Sequence, residues 1–172
     1  LNYYFTEQNH KIIFDEAIEK HSAGNISEAL KRYQYLIKNG FEDSRVFNNY
    51  GMILINLGKL NEAELLIRKA IDLNPKDAIG YSNLGAILKG FGKLTEAELL
   101  IRKAIELNPK DTAAYSNLAA ILKNFGRHRE GVLYITKAIE LNPNFADAHH
   151  NLANILLEQG SLKEAELSAR KA

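Results

Sequence analysis

The sequence predicts an all-α solenoid, that is, a stack of antiparallel helix pairs that repeats every 34 residues. The segment Gly58 to Asp77 returns at Gly92 to Asp111 with only two exchanges. The Asn-Pro dipeptides keep the same interval and begin at Asn74, Asn108 and Asn142. A period of this length is typical of arrays in which each unit is one supersecondary element that buries its apolar face against its neighbours.

The 34-residue frame divides residues 10–172 into five units of a single array. The units are 10–43, 44–77, 78–111, 112–145 and an incomplete 146–172. Residues 1–9 contain three adjacent aromatic residues and no clear period, so we interpret them as an N-terminal leader or cap that covers the first repeat.

Each unit is predicted to begin with a helix that has one buried face. In unit 78–111, apolar residues recur at spacings of three and four, including Tyr81, Leu84 and Leu88. This spacing indicates one face of an amphipathic helix. Gly92 then follows, and glycine commonly ends a helix because it adopts a left-handed backbone conformation easily.

A second helix is predicted between Gly92 and the Asn108-Pro109 pair. Thr95 with Glu98 three residues later has the pattern of a capping box at its start. Asn108 marks the end because the residue before proline is disfavoured in the helical conformation. The predicted buried stripe consists of Ala97, Ile101, Ala104 and Ile105.

Small residues recur at one position of each helix and are expected to let the two helices of a pair approach closely. In the first helices they are Gly51, Gly85, Ala119 and Ala153, and in the second helices they are Ala29, Ala63, Ala97, Gly131 and Ala165. A larger side chain there is expected to overpack the pair.

The amino-acid composition excludes several classes of function. The 22 Lys and Arg residues nearly balance the 21 Asp and Glu residues, and the net charge of +1 gives no general attraction to nucleic acid or to an anionic membrane. The absence of cysteine excludes disulfides, thiolate metal sites and a cysteine nucleophile. No apolar run approaches the roughly 18 residues of a spanning helix, so we expect a soluble cytoplasmic segment.

These features resemble the tetratricopeptide repeat family from about residue 10 to the end. The resemblance rests on the repeat length and on Leu84-Gly85, Gly92, Ala97, Ala104 and Pro109, with their equivalents in neighbouring units. It implies a right-handed superhelix whose first helices line a concave groove and whose second helices form the convex wall. It also implies a scaffold for protein interactions. The first unit is atypical, with Gly40-Phe41 in place of Asn-Pro and Glu16 in place of Leu84.

In every unit except the first, which has Asp15 there, one asparagine stands beside the buried stripe of the first helix, and the resemblance places it in the groove. The four residues are Asn49, Asn83, Asn117 and Asn151. Side-chain amides offer both a donor and an acceptor, which suits the backbone of an extended peptide. The column is similar to the asparagine ladder in the repeat arm of O-linked N-acetylglucosamine transferases, where it grips substrate backbone. The alternative is that these residues cap or bridge neighbouring first helices.

Further residues are predicted to line the same groove. They are Asn48, Ser82, Ser116 and His150, then Met52, Ala86, Ala120 and Asn154, with Lys89 and Lys123 near the helix ends. The two lysines suit either an acidic partner or the negative end of the helix dipole. A clamp for the C-terminal carboxylate of chaperones, known in this family, is not expected because Asn48 and Ser82 replace its first lysine.

Catalysis and metal binding are not expected within these residues. His149 and His150 are neighbours whose side chains diverge by about 100° on a helix, and the sequence offers no carboxylate or thiol at chelating spacing. No phosphate-binding loop or nucleophile motif appears, and no cofactor is predicted. Opposite charges four residues apart indicate a solvated wall on the second helices. These pairs are Glu64 with Arg68, Glu98 with Arg102 and Glu166 with Arg170.

The leading hypothesis is therefore an interaction scaffold for a peptide or partner protein. The main alternative is the substrate-recruiting arm of a larger modifying enzyme of glycosyltransferase or sulfotransferase type. An RNA-reading array related to pentatricopeptide repeats is disfavoured by the 34-residue period and the balanced charge. Self-association is a further hypothesis, because the incomplete last unit leaves an apolar face without a cap. That face comprises Leu152, Leu156, Leu162 and Ala165.

Overall fold

A computed structural model describes the backbone of residues 2–172 and the side chains of residues 8–172. Its regular structure is entirely helical over this part of the chain, and no helix there is long and apolar enough to cross a membrane. The chain divides into two compact units, Leu1–Lys76 and Asp77–Ala172, which are called unit 1 and unit 2 below. The 34-residue units of the sequence are called repeats from here on.

Both units consist of consecutive antiparallel helix pairs. The helices of unit 1 are α1 (Asn2–Ser22), α2 (Ile26–Lys38), α3 (Ser44–Asn56) and α4 (Leu60–Leu73). The helices of unit 2 are α5 (Ala78–Gly90), α6 (Leu94–Leu107), α7 (Thr112–Asn124), α8 (His128–Leu141), α9 (Ala146–Glu158) and α10 (Leu162–Ala169).

The first helices of the repeats begin in step with the 34-residue frame. Helices α3, α5, α7 and α9 each start at the first residue of a predicted repeat. Helix α1 differs because it begins at Asn2, so residues 2–9 continue the first helix and do not form a separate turn. The covering contacts predicted for the leader fall largely on the side chains of residues 1–7, which lie outside the described residues.

The predicted helix ends are confirmed. Gly92 has a φ of +73°, and its N–H donates to the Lys89 carbonyl at 3.0 Å while the Lys93 N–H donates to the Leu88 carbonyl at 2.9 Å. This pair of bonds is a Schellman motif, which satisfies the last carbonyls of helix α5. Helix α6 ends at Leu107, and Asn108 leaves the helical conformation just before Pro109.

The capping box predicted at Thr95 and Glu98 is wrong. Helix α6 already begins at Leu94, and its N-cap residue Lys93 makes no side-chain cap. The Glu98 carboxylate instead accepts a hydrogen bond from Arg102 Nε at 2.9 Å. The Schellman motif at Gly92 leads the chain directly into the next helix, so Thr95 lies two residues past the N-cap position and cannot act as the cap.

Aspartate caps the first helices of three consecutive repeats. Asp77 Oδ1 accepts from the Ile79 N–H at 3.0 Å, and Asp111 Oδ1 accepts from the Ala114 N–H at 3.0 Å. Asp43 caps helix α3 in the same way. These bonds satisfy N–H groups that have no partner within the helix.

The small residues permit close packing within the helix pairs, as predicted. Ala97, Ile101 and Ala104 are fully buried, while Ile105 is half-buried. A Cβ atom added at Gly85 would lie 2.5 Å from Ile101 Cδ1. Helices α5 and α6 therefore approach so closely here that a larger residue at this position would require the Ile101 side chain to shift.

The first repeat differs from the others in its polar contacts. Glu16, which stands at the position of buried Leu84, is exposed and accepts a hydrogen bond from Arg32 Nε at 3.0 Å. The core of unit 1 is more aromatic, and the rings of Phe14 and Tyr33 lie 6.4 Å apart. The Arg45 guanidinium lies over the Phe14 ring, 4.8 Å from its centroid.

The predicted charge pairs of the second helices are present, and in unit 2 they also connect two repeats. Arg102 pairs with Glu98 on its own helix at 2.8 Å and with Glu130 of helix α8 at 2.7 Å. Arg127 pairs with the same two carboxylates at 2.9 and 2.6 Å. These ion pairs on the second-helix surface therefore connect helix α8 to helix α6.

This surface also carries an exposed leucine in every repeat except the first, which has Lys31 at that position, and the prediction of a charged wall did not include these leucines. In unit 2, Leu99, Leu133 and Leu167 are 66%, 72% and 60% exposed. They lie at intervals of 34 residues, as does Leu65 in unit 1.

The apolar face predicted at the last repeat is only partly open. Ala165 is buried, Leu152 and Leu156 are half-buried, and Leu162 is exposed. Ala165 is covered because helices α9 and α10 pack against each other in the same way as the preceding pairs.

Candidate functional site

A polar cleft of about 250 Å³ lies on the first helices of unit 2. Helices α5, α7 and α9 and the turn before α9 supply its walls. The lining residues are Lys89, Ala113, Ser116, Asn117, Phe145, Asp147, His150 and Asn151. The cleft is therefore built from three consecutive repeats, and its wall carries both a cationic and an anionic side chain.

A second cleft, of about 410 Å³, adjoins the first. The two share Ala113 and Phe145 in their linings. The second is lined by Ile79, Ser82, Asn83, Asn108, Lys110, Asp111, Thr112, Ala113, Asn142 and Phe145. It adds an apolar wall, because Ile79 is 56% exposed and Phe145 is half-buried.

The three ladder asparagines of unit 2 line these two clefts. Asn117 Oδ1 accepts a hydrogen bond from Lys89 Nζ at 2.6 Å, and Asn151 Nδ2 donates to Ser116 Oγ at 2.9 Å. Each of these bonds connects neighbouring first helices, as the alternative interpretation predicted. Asn117 Nδ2 and Asn151 Oδ1 have no hydrogen-bond partner among the described residues.

Asn83 and Asn49 have different surroundings. Asn83 lines the second cleft, and its buried Nδ2 has no acceptor within the described part of the chain. Asn49 lies in unit 1 beside the hydroxyl of Tyr33, where burial raises the pKa of the phenol and the asparagine side chain partly offsets this rise.

The other predicted lining residues are distributed between floor and rim. Ser82 and Ser116 are buried at the floor of the clefts that they line, and Asn48 is buried within unit 1. Each of these three residues comes directly before a ladder asparagine, and consecutive side chains on a helix diverge by about 100°. They therefore face the protein interior. His150 is exposed, and its Nε2 lies 3.1 Å from Asn154 Nδ2.

The two lysines at equivalent positions have different partners. Lys89 is half-buried, and among residues 8–172 its one hydrogen-bond partner is the neutral amide of Asn117. Burial lowers the pKa of Lys89, and the negative charge of Asp147 partly offsets this. Lys123 instead donates to Glu158 Oε1 at 3.1 Å. The hydrogen bond with His128, and to a smaller extent the one with Lys123, lowers the pKa of Glu158.

The adjacent histidines point in different directions, as the helical geometry predicts. His149 is buried and its Nε2 lies 2.8 Å from the Pro143 carbonyl oxygen, whereas His150 is exposed. Within residues 8–172, no group of three or more His, Asp or Glu side chains is arranged to hold a metal ion.

Several lining residues were missed by sequence reasoning, although a signal for them exists. Ile79, Ala113 and Asp147 each precede a ladder asparagine by four residues. Residues four apart lie on the same face of a helix, so the ladder itself identifies them. Phe145 has no such signal because it lies in a turn and reaches the cleft only through the packing of two repeats.

Comparison with known proteins identifies the repeats. Family models described as tetratricopeptide repeats match residues 44–77, 66–98, 100–132 and 134–166. No curated protein sequence matches the chain.

Solved structures show the same fold at low sequence identity. A crystal structure of MamA matches with a TM-score of 0.75 and 22% identity, over 90% of this chain and 91% of that chain. MamA from Desulfovibrio magneticus RS-1, residue 41 to the end, matches with a TM-score of 0.79 and 21% identity over 94% and 92%. YrrB, described as a TPR protein with an unusual peptide-binding site, matches with a TM-score of 0.73 and 21% identity over 92% and 82%.

The predicted fold class is thus confirmed as an all-α solenoid of antiparallel helix pairs with a 34-residue period. Because the repeat models match more than half of its residues, this chain belongs to the tetratricopeptide repeat family.

Proposed function

We propose that this chain is an interaction scaffold that binds an extended peptide segment of a partner protein in the two adjoining clefts of unit 2. Family membership supports protein or peptide partners. The observation that carries the proposal is the unused hydrogen-bonding capacity of two amides in the polar cleft. The groups concerned are Asn117 Nδ2 and Asn151 Oδ1, neither of which has a partner among the described residues.

One donor and one acceptor on neighbouring helices suit the backbone of an extended chain, which presents both N–H and C=O groups. Neutral hydrogen bonds contribute about 0.5–1.5 kcal/mol each after water is displaced. The two amides therefore provide modest affinity that does not depend on the peptide sequence. Apolar contact with Ile79 and Phe145 adds to it, since both residues present apolar area to the second cleft.

A peptide-binding role agrees with the printed description of YrrB, which has the same fold. A substrate-recruiting arm of a modifying enzyme would use the same clefts. The binding step is common to both functions, so one experiment tests it.

The experiment is capture of peptides from a random display library by the purified chain. Wild type and the double variant Asn117→Ala/Asn151→Ala are compared, with Asn61→Thr as the matched control. Asn61 is exposed on helix α4, and threonine stands at its equivalent, Thr95. We expect the double variant to bind the captured peptides roughly tenfold more weakly, because two hydrogen bonds are lost. The control should bind like wild type.

Far-UV circular dichroism checks that all three proteins keep their helices. Undiminished binding by the folded double variant would contradict the role of the amides. Failure of the wild-type chain to capture any peptide would contradict the function itself.

A further inference from the structure

We infer that the bound peptide carries a carboxylate side chain, from Asp or Glu, and that this carboxylate binds the Lys89 ammonium in the polar cleft. The inference rests on the proposed peptide binding and specifies the class of peptide.

The first argument is that Lys89 is a half-buried cation without an anionic contact. Its ammonium donates to the neutral Asn117 Oδ1 at 2.6 Å, and no carboxylate lies within salt-bridge distance of it in the described part of the chain. Removing an ammonium from water is costly unless it is paired with an anion. Other partly buried cations of unit 2 are paired in this way, as Arg102 is with Glu98 and Glu130.

The second argument comes from the next repeat, where the equivalent Lys123 has a carboxylate partner. Glu158, at the end of helix α9, accepts from Lys123 Nζ at 3.1 Å. The residue that stands 34 positions before Glu158 is Asn124, at the end of helix α7. Lys89 therefore lacks a partner because the sequence places an amide where the following repeat has an acid.

The third argument concerns access. Lys89 lines an open cleft together with Ser116, Asn117 and Asn151, so a ligand carboxylate can reach it beside the ladder amides. Asp147 lines the same cleft and favours the charged form of Lys89 without contacting it. Its negative charge also repels an incoming carboxylate. Removing that charge should therefore strengthen binding of acidic peptides.

The test uses the same display library and records how often Asp and Glu occur in the captured peptides relative to the input. Wild type is compared with Lys89→Gln and with Asn124→Glu, which supplies an internal carboxylate at the position equivalent to Glu158. Lys123→Gln is the matched control because Lys123 lines neither of the two clefts and its ammonium is already paired with Glu158.

We expect acidic enrichment at one peptide position for wild type and Lys123→Gln, and its loss in both Lys89→Gln and Asn124→Glu. A captured acidic peptide should bind wild type about tenfold more tightly than its amide analogue, because a hydrogen bond to a charged group exceeds a neutral one. Asp147→Asn should widen that difference.

The outcomes separate the two proposals. Captured peptides without acidic enrichment would overturn this inference and leave the peptide-binding function intact. Persistence of the acidic enrichment in folded Lys89→Gln would also overturn it. If Lys89→Gln does not fold, persistence of the enrichment in Asn124→Glu has the same meaning. If wild type captures no peptide, both proposals fail.

Discussion

Ala97 and Gly85 illustrate how single residues set the spacing of a helix pair. Ala97 is fully buried, and a Cβ at Gly85 would lie 2.5 Å from Ile101 Cδ1. Protein interiors are close-packed, so an added group has no empty volume to enter. The neighbouring Leu99 points away from this contact and is exposed. Buried residues that set the helix spacing and exposed residues that make no contact there therefore lie close together on the same helix.

Ala97→Leu should lower the free energy of unfolding by about 1–3 kcal/mol, because the larger side chain overpacks helices α5 and α6. Urea denaturation measures the change. The same substitution at exposed Ala169 serves as the control and should have little effect. Equal stability of the Ala97 variant and wild type would contradict the close packing described above.

Among the elements, the two kinds of helix begin differently. The first helices of three repeats start at an aspartate whose side chain accepts from a backbone N–H, as Asp111 does for helix α7. The second helices follow a glycine turn, and helix α6 starts at Leu94, after the N-cap residue Lys93, without a side-chain cap. Thr95 lies inside the first turn of α6, past the N-cap position from which a side chain can accept from the first N–H groups.

Asp111→Ala should therefore destabilise the chain by about 0.5–2 kcal/mol through loss of the cap. Thr95→Ala should change stability by less than about 0.5 kcal/mol, since Thr95 makes no cap and is exposed. Thermal and urea unfolding of the two variants give the comparison. Equal destabilisation by both would show that Thr95 has a capping role after all.

On the scale of the whole molecule, the chain consists of two compact units whose boundary, Lys76 to Asp77, falls one residue before the junction of the second and third repeats. Repeat arrays are stabilised by contacts within repeats and between neighbours. Regions of such proteins can therefore open separately. In unit 2, the ion pairs of Arg102 and Arg127 connect helices α6 and α8 and add to the contacts between repeats.

Leu118→Ala should speed amide hydrogen exchange chiefly within residues 77–172, because a cavity at this fully buried leucine costs about 2–5 kcal/mol locally. Leu36→Ala, at an equally buried leucine of unit 1, is the reciprocal variant and should act chiefly on residues 1–76. Exchange followed by mass spectrometry locates each effect. Equal acceleration across the chain in both variants would indicate a single cooperative unit.

Much of this architecture follows from the sequence alone, because a fixed period of 34 residues repeats the same local forces. The Gly92 turn and the end of helix α6 at Asn108 depend on neighbouring residues only, so they were predictable. The capping box was not, because the pattern at Thr95 and Glu98 is shared by residues that cap a helix and residues already inside one. The exposed leucines were missed because the charges around them dominated the interpretation.

The sequence by itself determined the helix pairs and the repeat family, and it places an asparagine at the same position of four repeats. The tertiary structure decided what each polar side chain contacts. Lys89 and Lys123 occupy the same position of two repeats, yet one faces Asn117 and the other reaches Glu158. That difference depends on residues about 30 positions away that are brought near by stacking. Periodicity places a side chain on a helix face, whereas its partner and its burial are set by the helix that packs against that face.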